Sequence, residues 1–96
     1  MIYYVYIIES INTRKWYYGM TSDLTGRLDG HNSGLNKSTA RDRPWRYIMQ
    51  KPCESKTEAL KFERYLKRTK NKGYIRIKYR EYFFTSGVYP DDVGAG

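Results

Sequence analysis

Ile2-Tyr3-Tyr4-Val5-Tyr6-Ile7-Ile8 is an unbroken β-branched and aromatic run, and Trp16-Tyr17-Tyr18 answers it after the turn-prone Ser10-Ile11-Asn12-Thr13-Arg14. Two such runs separated by polar turn residues read as a β-hairpin. The first strand is apolar on both faces and both strands read as sheet-central, so each side of the sheet needs a cover. In a chain of 96 residues that cover must be helical. If the turn centres on Asn12-Thr13 with an even-length loop, position 6 opposes 19 and position 8 opposes 17. Period-two parity then puts Tyr6 and Tyr17 on one face as diagonal neighbours.

Outward from the hairpin, Thr21-Ser22-Asp23 is a cluster of N-cap residues, and Leu24, Leu28 and the stop signal Asn32-Ser33-Gly34 frame a helix of about three turns. Leu35 to Arg43 is polar and basic and reads as a loop. Trp45-Arg46-Tyr47-Ile48-Met49 has bulky residues at alternate positions and reads as a third strand, ended by Pro52. Ser55-Lys56-Thr57-Glu58 is a complete capping box, placing a helix from Ser55 to about Arg68. Thr69 to Gly73 has turn character, and Tyr74 to Phe84 resumes an apolar pattern that favours a last helix over a strand. The order β-β-α-β-α-α predicts an α+β domain, a three-stranded antiparallel sheet flanked by helices. It occupies residues 1–85, and the Gly/Pro-rich residues 86–96 are expected to be a disordered tail.

Eighteen Lys and Arg against ten Asp and Glu give a net charge of +8, and eleven tyrosines contribute to an aromatic content of 17%. The tail holds two acids and no base, so residues 1–85 carry +10 (18 − 8). A mean hydropathy of −0.83 and the lack of a long uncharged apolar run exclude a helical membrane span. Met1 leads into the first strand without a basic n-region, and with one cysteine, Cys53, the expectation is a cytoplasmic protein without disulfides or a four-ligand zinc site. Thiol–imidazole chemistry rests on the single pair Cys53 and His31, and a lone cysteine is more often a small core hydrophobe.

The charge distribution is sharper than its total. Lys61 to Arg80 holds nine bases and one acid, Glu63, too few acids for i,i+4 pairing, which favours a phosphate-facing surface carried by Lys61, Arg64, Lys67, Arg68, Lys70 and Lys72. Glu63 falls beside the Ala59, Phe62, Leu66 stripe of its helix, at the edge of the core-facing side. An unpaired carboxylate there is costly, so it should hold either a cation of this protein or a divalent metal. Arg27 and His31 are spaced i,i+4 and share a helix face, which is either a solvated surface or a phosphate grip in which His31 adds a hydrogen bond. Asn32 reads as helix-end chemistry. Tyr3, Tyr4, Tyr18, Tyr47 and Tyr65 read as sheet and core aromatics.

Tyr4-Val5-Tyr6 and Tyr17-Tyr18-Gly19, joined by about ten residues and followed by Arg27, His31 and Glu63, resemble the GIY-YIG nuclease family. The resemblance runs from Ile2 to Gly73 and is closest to small stand-alone bacterial members. It includes Arg27-Leu28-x-x-His31-Asn32-Ser33-Gly34, Arg43-Pro44-Trp45 and Glu58-Ala59-Leu60-x-x-Glu63. It extends to the nuclease domain of the excision-repair endonuclease. The resemblance implies an endonuclease that hydrolyses DNA phosphodiester bonds with a single Mg²⁺ or Mn²⁺ held by Glu63. Tyr6 and Tyr17 would be the tyrosines of the two motifs, Arg27 the phosphate-binding arginine, and His31 the histidine one turn past it. Tyr6 would help deprotonate the attacking water as a phenolate tuned by nearby cations. Tyr4 stands where the first motif has glycine, and Ile75 where several members carry an asparagine, with Asn71 a loose substitute. A chain of 96 residues is expected to carry no separate DNA-recognition domain. The expectation is therefore a monomeric, structure-selective or weakly sequence-selective enzyme, or one given specificity by a protein partner. The alternative is a non-catalytic nucleic-acid-binding module with the same fold and basic surface.

Overall fold

A computed structural model describes residues 1–84. Its elements are β1 (Tyr3–Ser10), β2 (Trp16–Thr21), α1 (Leu24–Ser33), α2 (Lys37–Ala40), β3 (Trp45–Cys53), α3 (Lys56–Thr69) and α4 (Lys72–Lys78), with a 3-10 turn over Arg80–Tyr82. The sheet is antiparallel with order β2-β1-β3. The architecture is the α+β sandwich expected, and the expected tail at 86–96 lies outside the described residues.

The hairpin register is the one its parity predicts, with Tyr6 opposite Gly19 and Ile8 opposite Tyr17. Only β1 is central, whereas the sequence reads both hairpin strands so. One face of β1 carries Val5 and Ile7 into a core with Ile48, Met49, Cys53, Ala59, Leu66 and Ile75 under α3 and α4. The opposite face carries Tyr6 and Ile8 against Trp45 and Tyr47, with Tyr17, Leu24 and Leu28 packed around them under α1. Both faces are thus covered by helices, as the apolar character of the first strand requires.

Three local expectations change. The loop read over 35–43 contains α2, whose start is capped by Asn36 accepting from the Ser38 N–H at 3.0 Å. Pro52 does not end β3: it pairs opposite Tyr4, and an edge strand tolerates a residue without an N–H donor because one side of its ladder is unpaired. The register against β1 slips between Ile7 and Ile8, so Met49 meets Ile7 while Tyr47 meets Ile8. This bulge puts Tyr47 on the Tyr6 face and Met49 in the opposite core, although strict alternation would keep them together.

Ser55 caps α3 by accepting from the Glu58 N–H at 3.1 Å, and the Glu58 carboxylate reaches back one residue past the cap to accept from the Glu54 N–H at 2.8 Å. The apolar run at 74–84 divides into α4, the 3-10 turn and a bridge from Phe83 to Met49. No helix among the described residues is long and apolar enough to cross a membrane.

Candidate active site

Parity alone places Tyr6 and Tyr17 on the α1 face. A buried hydrogen-bond chain then ties them to the helix. Asp23 caps α1 by accepting from the Gly26 N–H at 3.0 Å, and Gly34 ends it in the left-handed conformation. This phasing turns His31 inward, and only 1% of its surface is exposed. Of the two readings of the Arg27–His31 face, the solvated surface therefore fits Arg27 alone: Arg27 is exposed and His31 is core. His31 Nε2 lies 2.9 Å from Tyr6 Oη, and Nδ1 lies 2.8 Å from Thr39 Oγ1 on α2.

The tautomer follows from counting protons. Thr39 has one hydroxyl proton and donates it to the Asn36 carbonyl oxygen at 3.3 Å, so its oxygen accepts from His31 Nδ1–H. Burial, with help from the Arg27 charge, lowers the His31 pKa below its ordinary value, keeping the ring neutral at pH 7. A neutral ring protonated at Nδ1 leaves Nε2 with a lone pair, and Tyr6 O–H donates to it. Sequence reasoning missed Thr39 because it stands in a segment that reads as loop.

Tyr17 stacks edge-on against His31 at 5.0 Å between ring centroids and against Trp45 at 6.5 Å. Tyr6 meets His31 at 6.0 Å and Tyr47 at 5.4 Å, both edge-to-face. Gly19 is what lets the Tyr6 ring lie across β2, since a Cβ at that position would collide with the phenol oxygen and come within 2.5 Å of Cζ. Asn32 is not helix-end chemistry. Its amide donates to the Trp45 carbonyl at 3.0 Å and accepts from the Trp45 N–H at 2.6 Å, clamping α1 onto the start of β3.

Arg27 lines a cleft of about 680 Å³ together with His31, Thr21, Asp23 and Asn36. Tyr6, Tyr17 and Glu63 do not line it. The charges of Arg27 and Glu63 nonetheless both act on the Tyr6 phenol. Burial raises the Tyr6 pKa far above its ordinary value, and Arg27 offsets only part of that rise. The protein's own cations do not bring the pKa of this phenol down to neutral pH.

Glu63 is largely buried, with 16% of its side chain exposed, and its carboxylate pairs with Lys67 at 3.3 Å. The buried-edge partner is thus a lysine one turn ahead rather than an arginine. Among the described residues no group of three or more His, Cys, Asp and Glu is placed to hold a metal. The donor set does not suit zinc, which takes nitrogen and sulfur ligands in fours. One hard carboxylate fits Mg²⁺ or Mn²⁺, which keep several waters and share the oxygens of a substrate phosphate.

The basic run from Lys61 onward does not form one phosphate-facing plane. Lys61, Arg64 and Arg68 are exposed on the outer side of α3, and Lys67 is engaged by Glu63. Lys70 closes the helix with φ 56. Lys72 donates to the Arg14 carbonyl at 3.2 Å and sits 5.1 Å over the Trp16 ring. Asn71 caps α4 through the Tyr74 N–H at 3.0 Å, and Ile75 is wholly buried. Cys53 is buried in the α3-side core, across the sheet from His31.

Residues 2–78 match the GIY-YIG catalytic domain. The chain belongs to the GIY-YIG family. It is 34% identical over 82 residues to the UPF0213 protein BH0048 of Halalkalibacterium halodurans, a span covering 81% of this chain and 86% of that protein. The solution NMR structure of the UPF0213 protein BH0048 from Bacillus halodurans superposes with a TM-score of 0.50 at 32% identity. That superposition covers 80% of this chain and 82% of the other. In family terms the two motif tyrosines are brought together through one histidine, and the glycine of the second motif is the seat of the first motif's phenol ring. GIY-YIG is a nuclease fold, and its nucleases are in general divalent-metal dependent.

Proposed function

We propose that the protein is a metal-dependent endonuclease that hydrolyses DNA phosphodiester bonds with structure selectivity or low sequence preference. The observation that carries this reading is the buried Tyr6–His31–Thr39 chain beside the exposed Arg27, in a chain of a nuclease family. Arg27 grips a non-bridging phosphate oxygen with its planar fork. Glu63 would hold Mg²⁺ or Mn²⁺, and such an ion would supply Lewis-acid stabilisation of charge at the leaving group. Tyr6 Oη takes a proton from the attacking water as its own proton passes to His31 Nε2, so a free phenolate is never populated despite the raised pKa. The water oxygen bonds to phosphorus and the bond to the 3′ oxygen breaks, leaving a 5′-phosphate and a 3′ oxygen that takes a proton from solvent, while the proton held at His31 Nε2 returns through Tyr6 to solvent and resets the chain. Thr39 holds the proton at Nδ1 fixed throughout, and Tyr17 orients the imidazole by edge contact. The protein acts in the cytoplasm as a monomer, with any sequence specificity supplied by a partner protein.

A nicking assay tests this on supercoiled plasmid, nicked, flap and single-stranded DNA, with and without Mg²⁺ or Mn²⁺. Metal-dependent cleavage should vanish in Glu63→Ala. Cleavage by the pure Glu63→Ala protein would overturn the metal-ligand role. Two observations favour the second reading, a binding module without catalysis: Lys67 already neutralises Glu63, and Tyr6 is only 1% exposed. That reading predicts salt-sensitive, metal-indifferent DNA binding and no cleavage of any substrate.

A further inference from the structure

Five rings on the side of the molecule away from α1 have no part in the chemistry above. Phe62 stacks on Tyr65 at 6.3 Å and meets Tyr79 edge-on at 5.0 Å, and Tyr65 meets Tyr79 at 6.4 Å. Lys78 Nζ stands 5.5 Å over the Tyr74 ring, donates to its hydroxyl at 3.0 Å, and lies within 6.0 Å of the Tyr65 and Tyr79 centroids. Lys51, on the edge strand β3, lies 5.1 Å over Phe62 and 5.4 Å over Tyr82. A shallow groove of about 440 Å³ runs between these groups, with Lys61 at its rim.

Among the described residues, Lys51, Lys61 and Lys78 have no carboxylate partner within ion-pair distance. The acid lining the groove, Glu58, is committed to capping α3. Tyr74 stays 42% exposed and Ile77, one turn on, 72% exposed. At about 100° per helical residue, Tyr65 and Glu63 project from flanks of α3 roughly 160° apart, so this surface is separate from the candidate active site.

Ring faces interleaved with unpaired ammonium groups complement one kind of ligand: bases that are out of a duplex, spaced by phosphates. Duplex DNA offers the phosphates but hides its base faces. We infer that the α3–α4 face is a platform for a single-stranded DNA segment, on which a base stacks against Tyr74 while Lys51, Lys61 and Lys78 meet the backbone. The inference rests on the reading of the protein as acting on DNA and narrows the substrate to one with a single-stranded portion.

The test is fluorescence anisotropy with labelled dT15 and with a labelled 15-base-pair blunt duplex, in metal-free buffer with the Glu63→Ala protein. Binding is then read apart from cleavage, and its outcome is independent of whether the wild type is a nuclease. Wild-type-like binding should favour dT15 by about tenfold or more. Tyr74→Ala should weaken dT15 about fivefold or more, while Tyr74→Phe, which keeps the ring, should not. Lys78→Gln should lower the salt slope by about 0.7, one phosphate contact on a single strand. Both side chains are exposed and circular dichroism checks that the variants fold. Equal affinity for dT15 and duplex, or an unchanged Tyr74→Ala, would overturn the platform.

Discussion

The two faces of the sheet are built to different rules. The α3 face is closed by Val5, Ile7, Ile48, Met49, Ala59, Leu66 and Ile75, all within 2% exposure, and nothing in that cluster needs a hydrogen bond apart from the Cys53 thiol. The α1 face buries nearly as completely, but beside Ile8 and Trp45 it buries a polar chain: the Tyr6 phenol, the His31 imidazole and the Thr39 hydroxyl, each satisfied by the next. No buried side-chain nitrogen or oxygen among the described residues lacks a partner. An apolar face tolerates substitution in proportion to volume lost, whereas a closed polar chain fails by the link. Stability should therefore be set mainly by the apolar interior of the α3 face and the proton chain by the α1 face, with Glu63 at the edge of α3, and substitutions can separate the two.

The largest effect expected is on stability. Leu66→Ala opens a cavity against a fully buried stripe and should cost about 2–5 kcal/mol. In a domain of this size each kcal/mol lowers Tm by roughly 4–8 °C. Calorimetry should show that loss, while nicking measured well below the new Tm stays near wild type; a proportional loss of nicking would break the separation of faces. Arg27→Ala should do the reverse. Arg27 is exposed and bears no ion pair among the described residues, so Tm should hardly move while nicking falls by about a hundredfold or more. Gly19→Ala lies between, because the added methyl collides with the Tyr6 ring and disturbs both packing and chemistry. A cost of about 1–3 kcal/mol and a clear loss of nicking should appear together.

How far this division was legible in the sequence depends on whether the cause is local. Strand parity is local, so the register that pairs Tyr6 with Gly19 and puts Tyr17 on the same face could be read from residues 2–18. The capping box at Ser55 and the edge position of Glu63 are set by helical spacing and stand where expected. The bulge that moves Tyr47 across the sheet, the passage of β3 through Pro52, and the clamp of Asn32 on Trp45 all depend on what a neighbouring element presents. Thr39 was invisible for the same reason: its role exists only because α2 docks beneath His31, 8 residues away in sequence. The family resemblance named the tyrosines but carried nothing about the hydrogen-bond chain that joins them.

Thr39 gives a smaller and more specific test of the polar face. Thr39→Val keeps the shape and removes the acceptor for His31 Nδ1–H, so the imidazole loses the bond that fixes its tautomer. Nitrogen-15 NMR of the His31 ring should show the Nδ1–H form in the wild type and in Thr39→Ser, and a mixture in Thr39→Val. Nicking should fall about tenfold in Thr39→Val alone. An unchanged tautomer would remove Thr39 from the chain whatever the activity did.

The smallest effect concerns pH. The folded-state pKa of His31 lies below its unfolded value of about 6.5 because burial and the Arg27 charge disfavour the imidazolium. Between those two values the unfolded chain binds the extra proton and the folded chain does not. The stability that His31 gains by being neutral is therefore complete above pH of about 6.5 and declines as pH falls toward its folded pKa. Tyr6, Tyr17, Thr39 and Arg27 are the groups that surround it. Urea unfolding at pH 7.5 and at successively lower pH should show a decline that His31→Gln abolishes, since glutamine can bridge Tyr6 and Thr39 without titrating. A decline of equal size in His31→Gln would remove His31 as its origin.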